Sequence, residues 1–125
     1  NADWNTSSGL VNAPESRSAS KGPEPEGLAI GKAYGRTWMV LALERDSGLL
    51  LYDMTNPVKP MFRQYINTSI LGGDIRSNTA GDVSPEGVLF LEAEKSPTGK
   101  PMVVVSYELS GTVAFFEVTA PGSSK

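Results

Sequence analysis

Fourteen acidic side chains, no histidine and no cysteine bound the chemistry open to this chain of 125 residues. Without histidine the commonest zinc and copper ligand and the commonest general base are gone. Without cysteine there is no thiolate ligand, thiol nucleophile or disulfide. Ser106 and Ser110 have no histidine to activate them, which excludes a serine triad within the chain. Gly72-Gly73 is not followed by the Gly-Lys-Ser/Thr of a P-loop, and no EF-hand spacing occurs. What remains is oxygen chemistry. Carboxylates gathered on flexible loops suit a hard cation, Ca²⁺ before Mg²⁺, because Ca²⁺ accepts roughly six to eight oxygen donors in loose geometry. A proton shared between two of them is the other relief for their repulsion, and it would raise one pKa.

Which elements could gather the acids follows from a repeat. Arg36 to Met54, RTWMVLALERDSGLLLYDM, recurs 64 residues later as KPMVVVSYELSGTVAFFEV, Lys100 to Val118, in the order basic residue, apolar run, Glu, polar turn, apolar run, acid. Upstream of each copy stands Pro-Glu-Gly and another apolar run, PEGLAIG at Pro25 and PEGVLFL at Pro85, at an offset of 60 because the turn EKSPTGK is longer. A duplicated three-strand unit is the mark of an array in which each unit buries its apolar face on the next. The spacing predicts strands around Leu28–Tyr34, Trp38–Leu43, Leu49–Met54 and a more polar Pro60–Ile66, then Val88–Glu92, Met102–Tyr107 and Val113–Val118. The all-apolar second strand reads as buried on both faces. Gly48 is expected to supply the positive φ of its hairpin, and Phe62, Gln64 and Ile66 to share one face of the fourth strand.

Four antiparallel strands, apolar inside and polar outside, describe one blade of a β-propeller. The expected fold is therefore all-β, a four-stranded blade plus an incomplete three-stranded one, as part of a larger propeller. The expected division is an extended arm at 1–21, blade 1 at 22–68, a connecting loop at 69–84, the incomplete blade 2 at 85–119 and a tail at 120–125. Trp4 in the arm is expected to pack on the body, and Tyr52, Phe115 and Phe116 to pack within or between blades. The chain starts at Asn1 and its last blade is one strand short, so it reads as a C-terminal piece. Its partner is expected to be the rest of the parent propeller, or another copy, pairing with the last strand.

Strand direction then places the carboxylates. If the first strand starts at Glu26, the second returns Glu44 to the same rim, and by the repeat Glu86 and Glu108 do likewise. The turn with Asp46 and the loop with Asp74 and Asp82 emerge there too. Seven of the 14 acids converge on one face, with Glu24 close by. Glu26, Glu44, Asp74, Asp82, Glu86 and Glu108 are the candidate metal ligands, and Arg45, Asp46 and Arg76 the candidate ligand-binding residues. The competing structural reading is that a Glu after Pro accepts backbone hydrogen bonds from a neighbouring blade, or pairs with Arg45 or Arg76.

Net charge of −3 and the lack of clustered Lys and Arg exclude a nucleic-acid surface. No apolar run approaches the ~18 residues needed to span a bilayer. Asn5 and Asn67 stand in glycosylation sequons, which matter only in a glycosylating host.

The strings SKGPEPEGLAIG, RTWMVLALERDSGLLLYDMTNP and GDVSPEGVLFLEAEKSPTGKPMVVVSYELSGTVAFFEV resemble the C-terminal part of the choice-of-anchor I family, proteins similar to the mesenchyme-specific cell surface glycoprotein. The resemblance runs from about Arg17 to Val118. It implies a propeller whose repeats carry a YD-x-T-x-P-like signature, here Tyr52, Asp53, Thr55 and Pro57, and a secreted or surface location. It implies no reaction. Three functions are thus expected in turn. The first is an extracellular binding scaffold, stabilised by calcium. The second is a metal-dependent phosphatase- or phytase-like hydrolase, in which Arg45 and Arg76 would hold phosphate. The third is a self-assembling subunit that pairs through an open strand edge.

Overall fold

A computed structural model describes residues 18–122; Trp4, the sequon at Asn5 and most of the expected arm lie outside them. Seven strands form two antiparallel sheets and leave room for only two short 3-10 turns, at Ile75–Ser77 and Ala93–Lys95. Blade 1 is β1 (Pro25–Ala33), β2 (Arg36–Leu43), β3 (Gly48–Asp53) and β4 (Met61–Asn67), hydrogen-bonded in that order. Blade 2 is β5 (Pro85–Leu91), β6 (Met102–Tyr107) and β7 (Thr112–Glu117), again in sequence order. The fold is all-β, and its units are the four-stranded and three-stranded blades that the repeat calls for. Among the described residues no helix is long and apolar enough to cross a membrane.

Turn chemistry explains the order. β1 and β2 are joined at Tyr34-Gly35, both left-handed with φ of 53° and 69°, a twist that matches the flanking strands. At the β2–β3 turn it is Ser47, φ 67°, that adopts the left-handed conformation, and not Gly48 as expected. Gly48 is needed for space instead: a Cβ there would stand 2.3 Å from the Tyr65 ring and 2.5 Å from Asp46 Oδ2.

The blades stack face to face, and strand alternation decides which side chains meet. Ala29, Val40 and Leu51 lie across from one another on the face of blade 1 that meets Val88, Val105 and Ala114 of blade 2. Trp38, Phe90, Val103 and Phe116 extend the same core. β1 and β5 approach closely because β1 is built of small residues on that face. A Cβ on Gly31 would fall 2.0 Å from the Phe90 ring, and one on Gly27 2.8 Å from the Glu86 carbonyl.

The opposite faces are open. Leu28 and Ile30 of blade 1 are 54% and 57% exposed, and Met39 and Leu41 of β2 are only half-buried. β2 is thus buried on one face, where its composition predicted two, because the described residues place nothing over the other. β4 departs in register as well. A bulge opposite Leu51 and Tyr52 pairs Gln64 with Leu51 but Phe62 with Tyr52. Phe62 therefore joins Tyr52 edge-to-face, ring centroids 5.7 Å apart, on the opposite side of the sheet from Gln64 and Ile66.

Candidate functional site

Each Pro-Glu-Gly marks a β-bulge. Pro25 pairs with Leu43 and Gly27 with Ala42, so Glu26 has no partner across the ladder; Pro85, Glu86 and Gly87 repeat the arrangement against Tyr107 and Ser106. An unpaired bulge residue is re-aimed out of the pleat, which turns Glu26 and Glu86 to the rim. The residue before each proline is left-handed, Glu24 at φ 48° and Ser84 at φ 66°, and its carbonyl accepts the amide that follows β2 or β6: Glu44 N–H to Glu24 at 2.9 Å, Glu108 N–H to Ser84 at 2.8 Å.

In blade 1 this geometry gathers three acids. Glu24, Glu26 and Glu44 each offer one carboxylate oxygen, all within 4.8 Å of one another, the grouping of three that the described residues contain. Arg45 Nε donates to Glu24 at 2.8 Å, its Nη2 stands 3.6 Å from Glu44, and Lys21 Nζ is 3.2 Å from Glu24. Arg45 holds the Glu24 carboxyl below the usual carboxylate range, and Lys21 adds to the effect. Glu44 moves the other way. It is 9% exposed, and burial pushes its carboxyl up against the opposing pull of Arg45; the charges of Glu26 and Glu24 and a hydrogen bond shared with Glu26 add to the rise. Ser84, the residue before β5, lies against it, its Oγ 3.5 Å from Glu44 Oε1 and its N–H donating to Ser47 Oγ at 3.1 Å.

The other candidate residues go elsewhere. Asp46, 1% exposed, accepts the Tyr65 hydroxyl at 2.5 Å, and its carbonyl accepts Asn67 Nδ2. Asp82 accepts the hydroxyls of Thr112 at 2.6 Å and Thr68 at 2.8 Å, tying both ends of the connection to β7. Asp74 caps the 3-10 turn through the Arg76 amide at 2.7 Å, and the Arg76 side chain is exposed. Glu86 and Glu108 are exposed at the corresponding end of blade 2, where Ser84 takes the place of Glu24. One rim thus receives Glu26, Glu44, Glu86 and Glu108 at the ends of their strands, while a cation-sized grouping forms in blade 1. Glu24 belongs to that grouping; its signal in the sequence was the Glu-Pro-Glu that blade 2 lacks.

At the other end of blade 1 a second polar centre is built on Asp53. Its Oδ2 accepts Arg36 Nη1 at 2.5 Å and Arg63 Nη2 at 3.2 Å, and its Oδ1 accepts the Thr55 amide at 3.0 Å. Thr55 closes the knot by accepting the Thr37 amide at 3.1 Å. Hydrogen bonds from Thr55, then Arg36 and Arg63, hold the Asp53 carboxyl far below the usual range despite its burial. Asp53 and Thr55 are thereby accounted for as a clasp that closes β2, β3 and β4 together.

Residues 1–57 match the choice-of-anchor I domain. The match takes in the acidic grouping and the Asp53 clasp apart from Arg63. It also covers the stretch before Arg17, which the sequence reading left outside the resemblance. The match suggests a β-propeller-like domain with a cell-surface association. Gigasin-3a of Magallana gigas is similar at 29% identity over 115 residues, 87% of this chain; the chain spans 40% of the length of that relative. No solved structure matches.

Proposed function

We propose that the chain is a two-blade portion of a larger extracellular β-propeller that serves as a binding and interaction scaffold and receives a further strand at the free edge of β7. One observation carries this reading. At the outer end of the blade junction runs an apolar groove of about 100 Å³, lined by Trp38, Val40, Leu51 and Ile66 of blade 1 and Val103 and Phe116 of blade 2. In blade 1, β4 covers the outer edge of β3; among the described residues nothing covers the equivalent edge of β7. By the repeat, a strand added to β7 would seat its alternate apolar side chains in this groove, with main-chain hydrogen bonds supplying the rest. The strand would come from elsewhere in a longer polypeptide, a source supported by the 40% coverage of Gigasin-3a.

A synthetic peptide of residues 60–67, the sequence of β4, is a surrogate for that strand. Its addition is expected to slow amide exchange at Thr112–Glu117 and to shift tryptophan emission through Trp38. Exchange at β7 that stays fast at saturating peptide removes the reading; exchange that slows with protein concentration alone assigns the strand to another copy.

A second reading concerns the acidic grouping. Three carboxylate oxygens within 4.8 Å suit Ca²⁺, and the charges of Arg45 and Lys21 compete with it for the same oxygens. If calcium binds the folded chain, Tm rises with calcium over chelator, by mass action, and Glu26→Gln abolishes the rise. An unchanged Tm eliminates calcium.

A further inference from the structure

The end of blade 1 away from the acidic grouping carries the opposite charge. Where the start of β2 meets the β3–β4 turn lies an open pocket of about 180 Å³, lined by Arg36, Asp53, Thr55, Asn56, Lys59 and Met61. Its one carboxylate is already covered. Asp53 Oδ2 accepts a nitrogen from Arg36 and another from Arg63. The other groups still have donors to give. The Arg36 side chain is 42% exposed, and most of its five N–H groups have no partner among the described residues. Asn56 Oδ1 accepts the Val58 amide at 3.2 Å, which leaves its NH2 group to donate. Lys59 is exposed, and its ammonium forms no ion pair among the described residues.

The turn that carries these groups is fixed before any ligand arrives. Lys59 N–H donates to the Asn56 carbonyl at 3.0 Å, closing a turn with Pro57 at its second position, where the locked φ of proline suits it. Pro60 restricts Lys59 from the other side. Met54 N–H to the Thr37 carbonyl at 2.8 Å, and Thr37 N–H to Thr55 Oγ1, tie the turn to β2. Donors held this way lose little freedom on binding.

We infer that this pocket binds a tetrahedral oxyanion of the phosphate or sulfate class, with the Arg36 guanidinium, the Asn56 amide and the Lys59 ammonium as its donors. Arg36, Lys59 and Arg63 against the single carboxylate of Asp53 leave a positive surplus that a dianion balances and a monocarboxylate does not. Arginine offers a planar fork to such an anion and lysine a point charge. Met61 gives the pocket one apolar wall, against which the organic part of an ester can lie. Glu24, Glu26 and Glu44 make the opposite rim repel the same ligand.

The site is built on strand ends and a hairpin turn, which in a propeller project at the rim, clear of the faces that neighbouring blades cover. It rests neither on a strand added to β7 nor on calcium. Blade 2 does not repeat it, because Lys100 stands in place of Arg36 and Ala120 in place of Asn56.

The test is calorimetric titration of the chain with inorganic phosphate, inorganic sulfate and phenyl phosphate, in chloride of matched ionic strength, with acetate as the monoanion. One-to-one binding of phosphate or sulfate is expected, tighter than that of acetate. Lys59→Ala, at an exposed turn position, is expected to weaken it ~tenfold, the loss of one charged hydrogen bond. Lys59→Arg should restore binding, and Lys100→Ala, at the equivalent end of blade 2, should leave it unchanged. Phenyl phosphate that binds as tightly as phosphate assigns the pocket to an ester, and weaker binding assigns it to the free ion. No binding of any oxyanion, equal binding of acetate, or binding that Lys59→Ala weakens no more than Lys100→Ala does each overturns the inference. Circular dichroism matching the parent shows that each variant is folded.

Discussion

The same ion pair occurs twice, once in each blade, and the two copies have unlike surroundings. Arg36 with Asp53 in blade 1 corresponds by the repeat to Lys100 with Glu117 in blade 2. Asp53 is 4% exposed and held by a second arginine from β4 and by Thr55. The Lys100–Glu117 pair lies 3.1 Å apart with side chains 60% and 43% exposed. The blade with four strands turns a surface contact into a buried clasp, because Arg63 comes from the fourth. An exposed pair contributes ~0–1 kcal/mol, whereas removing one partner from a buried, hydrogen-bonded set strands the others. Completion of a blade is thus read out in its electrostatics as well as in its edge.

The largest contrast should come from glycines at equivalent bulges. Gly27→Ala would press a methyl against the Glu86 carbonyl and Val88 across the blade junction, at 2.8 and 2.9 Å, and against Ala42 of its own blade at 3.2 Å. The expected cost is ~1–3 kcal/mol in urea denaturation. Gly87→Ala meets only Ser106, whose hydroxyl can rotate away, and should cost well under half as much. Equal losses would mean that the blades do not meet through β1 and β5.

Next in size is the clasp itself. Asp53→Asn is expected to lower Tm by several degrees, while Glu117→Gln leaves it within error. Because the Asp53 carboxyl is depressed, its contribution is complete above the ordinary carboxylate range and is lost only as pH falls through that range toward the lowered value. The difference in Tm between Asp53→Asn and the unaltered chain should therefore shrink on acidification, and a difference independent of pH would contradict the clasp.

The smallest effect tests the acidic grouping against its blade 2 counterpart. Burial raises the Glu44 carboxyl, so the folded state holds its proton more tightly than the unfolded state. The sign is opposite to that of Asp53: the ionised form costs stability, a cost that grows as pH rises above the ordinary carboxylate range and vanishes below it. Glu44→Gln should raise stability at neutral pH, by under ~1 kcal/mol, and make no difference near pH ~4. Glu108→Gln, at the exposed equivalent position, should do neither.

Much of this was legible in the sequence. Periods of 60 and 64 residues located six of the seven strands and their order, because alternation and turn residues repeat with the blade, and the polar alternation of FRQYI located the remaining one, β4. Pairing Glu26 with Glu44 at one rim followed from strand direction alone. The finer placement did not. A bulge at Arg63 changes the face of Phe62 without leaving a mark in hydrophobic alternation. Ser47 takes the left-handed position, while the glycine at 48 answers to the crowding of Tyr65 and Asp46, a matter of tertiary contact. Asp46 and Asp82 read as loop acids, yet each is consumed by hydroxyls distant in sequence, from Tyr65, Thr68 and Thr112. Hydroxyl partners carry no charge, so nothing in a charge pattern reveals them.

The unpaired position inside each Pro-Glu-Gly has a consequence for how such surfaces diversify. Its side chain belongs to no cross-strand pair and to no packed row, so its identity can change while the ladder on either side stays intact. Substitution at Glu26 or Glu86 therefore changes the charge carried at the rim without removing a pair from either ladder.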